Sequence, residues 1–156
     1  NGRGGEPALH IAAHRGAFTL PAVQLLLENG ADVNLASEDG ATALYVAAEN
    51  GDDDKEMVKL LLDKGADVNK ALRDGALCGN RAAGEIPCGR FTPLHIAAQM
   101  GHVEVIKILL ENGADKTLTD KNGKTPEEIA ATPEVALALL LDPLDSTSTV
   151  STTFSF

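Results

Sequence analysis

Apolar residues in this chain come in short clusters set apart by glycine and acidic residues. Leu25-Leu26-Leu27, Leu60-Leu61-Leu62, Ile108-Leu109-Leu110 and Leu139-Leu140-Leu141 are four such clusters. The first three lead into a Gly-Ala-Asp step, at Gly30-Ala31-Asp32, Gly65-Ala66-Asp67 and Gly113-Ala114-Asp115. A second apolar block lies ahead of each: Pro7-Ala8-Leu9-His10-Ile11-Ala12-Ala13, Thr42-Ala43-Leu44-Tyr45-Val46-Ala47-Ala48 and Thr92-Pro93-Leu94-His95-Ile96-Ala97-Ala98. A fainter copy reads Thr125-Pro126-Glu127-Glu128-Ile129-Ala130. Two motifs repeating in one order at near-fixed spacing predict a solenoid rather than a fold around one central core.

Each unit reads as two short antiparallel helices and an extended turn. Thr92 is a natural N-cap, because its hydroxyl can accept from a free amide of the first turn. Pro93 suits the first helical position, where a missing N–H costs nothing. The Ala97-Ala98 pair lets neighbouring helices approach closely. Gly16, Gly51 and Gly101 end the first helices, and Gly30, Gly65 and Gly113 follow the second ones, where a left-handed residue is needed. Asp32, Asp67 and Asp115 then open the turn to the next unit.

On these residues the chain resembles the ankyrin repeats, whose unit is about 33 residues of turn plus two helices with a T-P-L-H-x-A signature. The resemblance runs over roughly residues 5–141. It implies an all-α solenoid of three full repeats and a degenerate C-terminal cap. The helices would stand in two layers, with the turns projecting as hairpins beside a concave face. The expected divisions are a first repeat at 1–39, a second at 40–74, a third at 75–122, a capping repeat at 123–141 and a Ser/Thr-rich tail at 142–156. Gly5 to Gly40 and Gly40 to Gly75 are both 35 residues, and the surplus over consensus lies between the helices. The third repeat carries an insertion at 76–89 within its hairpin. Asn1 to Gly5 contains no initiator Met and no polar capping helix, so further repeats or a removed leader are expected upstream.

Composition narrows the partners. The chain has 156 residues, a formal net charge of −10 and no Trp. Nucleic-acid affinity comes mainly from Lys and Arg releasing counterions, so such a chain is not expected to bind nucleic acid. A protein partner with a basic surface is favoured, although acidity also serves solubility. No apolar run reaches the ~18 residues that span a bilayer. An intracellular setting is expected, cytoplasmic or nuclear, or an organelle interior if a leader was removed.

Candidate chemistry is sparse. His10 and His14 have a metal-binding spacing but no third ligand, and His10 sits at the repeated histidine position shared with His95. Asp52-Asp53-Asp54 lacks the alternation of a calcium loop and reads as an acidic helix start. Cys78 and Cys88 flank the tip of the insertion, either as free thiols or as a disulfide closing it. No nucleophile–base pair, phosphate loop, metal site or cofactor site is expected, and the chain reads as no enzyme.

The expected function is protein recognition. The resemblance implies contacts at Glu38, Asp39 and Ala41, at Arg73, Asp74, Arg90 and Phe91, and at Lys121, Asn122 and Lys124. Glu49, Asn50, Gln99 and Met100 would close the first helices on the same face, with Phe91 and Met100 as apolar anchors. Arg81 joins Arg73 and Arg90 in a locally basic insertion that reads as a contact finger. In the tail, Val150, Thr152, Phe154 and Phe156 fall on one side of an extended chain, so Phe154 and Phe156 are expected to dock on a partner. The chain would be monomeric alone or a subunit of a hetero-complex. A stand-alone adaptor, an assembly subunit, and a regulatory module of a longer enzyme, channel or ligase all fit this reading.

Overall fold

The computed structural model describes residues 8–78 and 86–141, with backbone only for Leu77, Cys78, Ile86 and Pro87. The helices are α1 (Ala8–His14), α2 (Leu20–Glu28), α3 (Ala43–Asn50), α4 (Lys55–Asp63), α5 (Pro93–Met100), α6 (Val103–Glu111) and α7 (Pro133–Leu140). A two-residue antiparallel pair, β1 (Leu77–Cys78) with β2 (Ile86–Pro87), stands at the base of the insertion and adds no layer to this helical fold. The surplus residues between helices form 3-10 turns at Gly16–Thr19 and Asp52–Asp54.

Helix starts follow the threonines. The Thr42 hydroxyl accepts from the Tyr45 amide at 3.2 Å, and Thr132 plays the same part for Val135. Two rows result: α1, α3 and α5 pack side by side, and α2, α4, α6 and α7 form the second row. In the first row α3 and α5 are buried nearly all round, whereas α1 exposes Ala8, Ile11 and His14; Ala13, Ala47, Ala48, Ala97 and Ala98 have no exposed surface. Their small side chains let the helix backbones approach, as the alanine pairs predict. The second row is amphipathic. In α4, Met57, Val58 and Leu61 face inward, while Glu56 and Lys59 pair on the solvent side at 3.1 Å. That exposed pair contributes little.

The fourth unit departs from expectation. Residues 125–130 make a single turn rather than an α-helix. Proline at 133 disfavours helical backbone at 132, which leaves too few residues for a first helix. The Glu128 carboxylate instead accepts from the Thr125 amide at 2.8 Å, and the Ala131 amide crosses to Ala98 O at 3.0 Å. The second Thr-Pro step, Thr132-Pro133, starts α7, which packs on α6.

Polar side chains join one repeat to the next. Asn34 donates to Gly65 O (3.1 Å) and accepts from the Asp67 amide (2.7 Å). Asn69 repeats the pattern on Gly113 O (3.4 Å) and the Asp115 amide (2.8 Å). Thr117 stands at the third such position and bonds back to Asp115. The acidic run works similarly. Buried Asp54 accepts from the Ala17 amide and from Asn50 Nδ2, both at 2.7 Å, and Asp52 accepts from the Val105 amide at 3.1 Å. Asp52 and Asp54 thus tie repeats together, in addition to lying at the acidic start of α4. Packing at these joints is tight: a Cβ on Gly51 would stand 2.4 Å from the His102 ring.

Candidate interaction surface

Three hairpin tips stand beside the starts of the first-row helices. Ser37 N donates to Ala41 O, Leu72 N to Phe91 O and Asp120 N to Lys124 O, each at 2.8 Å. Gly40 N then closes on Ser37 O, Arg90 N on Leu72 O and Gly123 N on Asp120 O. Arg90 therefore fills the turn position held elsewhere by glycine, and it adopts φ 67°. The insertion enters inside this second tip. Its base joins the core, where Ala76 and Cys88 are buried. Cys88 is disulfide-bonded, whereas the side chain of Cys78 lies outside the described residues.

The tips are bonded to one another. Arg73 N donates to Asp39 O (2.9 Å), Arg73 Nη1 to Glu38 O (3.2 Å), and Lys121 N to Gly89 O (3.0 Å). The outward side chains form a graded row. Glu38 and Asp39 are exposed at one end, Arg73, Asp74 and Arg90 in the middle, and Lys121, Asn122 and Lys124 at the other. Buried Asp120 shapes the last tip by accepting from the Asn122 and Lys124 amides at 2.7 and 2.9 Å. Burial pushes its carboxyl upward, but those bonds and nearby His95 bring it below the usual carboxylate range.

Phe91 does not join this row. It is only 3% exposed and stacks on His95 at a centroid distance of 5.3 Å. An apolar ring beside the α5 start gains more by covering the buried imidazole than by facing water, so Phe91 is a core residue and not an exposed anchor. Ala41 is half-buried, and its carbonyl is occupied by Ser37 N and by the ring of His10. That bond explains His10 without a metal.

The far ends of the first-row helices divide differently. Met100 is 52% exposed, as an apolar contact requires, and Gln99 beside it is half-buried. Asn50 is engaged within the array, donating to Ala13 O (2.8 Å) and to Asp54. Glu49 is half-buried; burial raises its carboxyl, and the charge of His14 partly offsets this. Sequence reasoning passed over Phe18, which is 97% exposed on the Gly16–Thr19 turn. It borders an open cleft of about 520 Å³ with His14, Arg15, Asn50 and Asp53. The available signal was a bulky ring in the two-residue surplus between helices. Arg81, Phe154 and Phe156 lie outside the described residues. Among the described residues, no group of three His, Cys, Asp or Glu side chains is placed to hold a metal, and no helix is long and apolar enough to cross a membrane.

Two rows of short helices with projecting tips share one kind of first-row start, Thr-x-x-His at Thr92–His95, Thr-x-x-Tyr at Thr42–Tyr45 and Pro-x-x-His at Pro7–His10. A family model of three tandem ankyrin repeats matches residues 1–71, and a single ankyrin repeat model matches residues 90–121. The chain belongs to the ankyrin repeat family. Among curated relatives, a putative ankyrin repeat protein of Rickettsia bellii is 57% identical over 42 residues, 27% of this chain and 18% of the relative. The human 2-5A-dependent ribonuclease is 49% identical over 43 residues, 28% of this chain and 6% of that protein. Ankyrin repeat and SOCS box protein 11 of Danio rerio is 41% identical over 49 residues, 30% of this chain and 17% of the relative. The chain thus spans under a fifth of the length of these three relatives. Ankyrin repeats are generally protein-interaction modules.

Proposed function

We propose that this chain is a non-catalytic protein-binding module that seats a partner segment along its hairpin tips, with Met100 and Phe18 as apolar contacts at the opposite ends of the helices. The observation that carries the reading is the bonded row of tips, whose exposed charges run from Glu38 and Asp39 to Lys121 and Lys124. Backbone bonds hold the row in place, so its side chains meet a partner with little left to order. The graded charge favours one direction for the partner segment, its basic residues near Glu38 and its acidic ones near Lys124. The acidic total of the chain therefore understates the surface, which offers both signs. Residues 123–141 serve as the closing cap: Thr117 ends the asparagine series, and Glu128 satisfies the amide of Thr125.

Photo-crosslinking in cells tests the assignment. A crosslinking residue at Asp74 or Met100 should give partner adducts. The same residue at Lys59 or Lys107, on the solvent side of the second row, should give none. Adducts from Lys59 and Lys107 alone would overturn the proposal and move the interface to the second row.

A further inference from the structure

The cleft beside Phe18 is built from the surplus residues of the first two repeats. Each of these repeats carries a short turn between its helices, Gly16–Thr19 and Asp52–Asp54, whereas Gly101-His102 leads straight into α6. The two turns are bound together. Buried Asp54 accepts from the Ala17 amide and from Asn50, and Thr19 Oγ1 donates toward Ala12 O (2.7 Å) and Gly16 O (2.8 Å). Gly16 has no room for a side chain, because a Cβ there would stand 2.7 Å from Asp54 Oδ1. Phe18 thus rides on a fixed turn with its ring in solvent. That exposure is not a gap in the stacking of repeats. In register Phe18 corresponds to Asp53, which is exposed although the first repeat lies ahead of it. The position faces water in both repeats, so the ring is presented there rather than left uncovered.

Charge indicates what the ring meets. Asp53 borders the cleft, and among the described residues its carboxylate has no hydrogen-bond or ion-pair partner. Asp52 and Asp54 accept only from neutral amide groups, which leave their charges in place. Together with Glu49 these carboxylates outnumber Arg15 and Lys55, the cations next to the two turns.

We propose that this cleft takes an arginine or lysine side chain of the partner protein, laid across the Phe18 ring with its charge at Asp53. The inference rests on the protein-binding reading above and adds a defined subsite at the far end of the first-row helices. A cation over an aromatic face is attracted by the ring, and a guanidinium plane also stacks on it. Other side chains fit less well. An acidic one would find Arg15 but would also face Asp52 and Asp53. An apolar one would cover Phe18 and strip water from the Asp53 carboxylate with nothing in return.

The test follows amide NMR shifts of the full chain during titration with the peptide acetyl-Ala-Arg-Ala-amide, with acetyl-Ala-Glu-Ala-amide as the comparison. The arginine peptide should shift the amides of Arg15, Phe18 and Asp53 saturably, and should bind about threefold or more tightly than the glutamate peptide. Phe18→Ala and Asp53→Asn should each weaken the arginine peptide about threefold. Neither should noticeably shift the unfolding midpoint, because both side chains are exposed. Equal responses to the two peptides, or binding that neither substitution alters, would overturn the proposal. So would shifts confined to the tips at Glu38 and Asp39, a result that removes the subsite and leaves the tip row standing as a binding surface. The reading of the tips fails on a different measurement, the crosslinks from Lys59 and Lys107 alone.

Discussion

The starts of α3 and α5 are the same design executed with different residues. In α5 the neutral imidazole of His95 works at both nitrogens. Nδ1 accepts from the Thr92 amide (3.2 Å) and lies 2.8 Å from its hydroxyl, while Nε2 donates to Lys124 O (3.2 Å). Phe91 covers the ring. In α3 the same place holds Tyr45, whose hydroxyl is buried without a partner among the described residues. Burial, and after it the nearby Glu49 carboxylate, push that phenol well above its ordinary range. His10 falls between the two: one nitrogen reaches Ala41 O, and among the described residues Nδ1 has no partner. Residue 7 is proline, which offers neither hydroxyl nor amide N–H. The motif therefore acts as a unit. A histidine without its threonine, or a threonine without its histidine, leaves a buried polar atom unmatched.

Removing the histidine is the strongest way to break the contrast. His95→Ala deletes a buried ring that bonds two elements and supports Phe91, and it should cost about 3 kcal/mol in chemical denaturation. The loss should fall on the last tip as well as on α5, seen as faster exchange around Lys124. Acid gives a reversible version. Burial lowers the His95 pKa, against the opposing pull of the Lys124 carbonyl and the Asp120 charge. The folded state thus takes up the proton at lower pH than the unfolded chain. Stability from the neutral ring is complete above the ordinary histidine value of 6.5 and is lost as pH falls through it toward the lower folded value. Protonation also turns Nδ1 into a donor facing the Thr92 amide. His95→Gln should flatten the fall in unfolding midpoint between about pH 7 and pH 5; an unaltered slope would show that other groups carry it.

Tyr45→His is the converse change. It supplies the residue used in the other two repeats, shortens the side chain and removes an unmatched hydroxyl. A gain of about 1 kcal/mol is expected, with Tyr45→Phe close to neutral. Equal losses from both substitutions would mean that the hydroxyl holds a role the repeat pattern does not reveal.

What could be read in advance follows the same division. Cap threonines, glycines at positive φ and leucine clusters are local signals, and they placed every helix of the first three units. The asparagine joints escaped notice although Asp32-Val33-Asn34 and Asp67-Val68-Asn69 repeat plainly. Their partners are backbone atoms one repeat away, which no side-chain pattern displays. The joint made by Asn50 escaped notice for the same reason, since its partner Ala13 O lies across a repeat boundary. Phe91 was misjudged because an aromatic beside a tip can turn outward or onto the helix start, and only packing against His95 decides.

The smallest expected effect concerns the turn itself. Gly40 and Arg90 occupy the same tip position, but one has no side chain and the other is held at φ 67°. A non-glycine residue in the left-handed region is strained by roughly 1 kcal/mol. Glycine there relieves the strain but adds freedom to the unfolded chain, so Arg90→Gly should stabilise by only about 0.5 kcal/mol. The reverse substitution is not its mirror image. A Cβ on Gly40 would stand 2.8 Å from the Arg73 amide, the group that bonds the first two tips. Gly40→Ala should therefore cost more than Arg90→Gly gains, and it should loosen the tip row at Arg73. Strain kept at an exposed position favours a contact role for the Arg90 side chain. If so, Arg90→Gly should raise the unfolding midpoint slightly while weakening partner adducts at Asp74. A variant that gains stability and keeps full crosslinking would remove Arg90 from the interface and leave its strain unexplained.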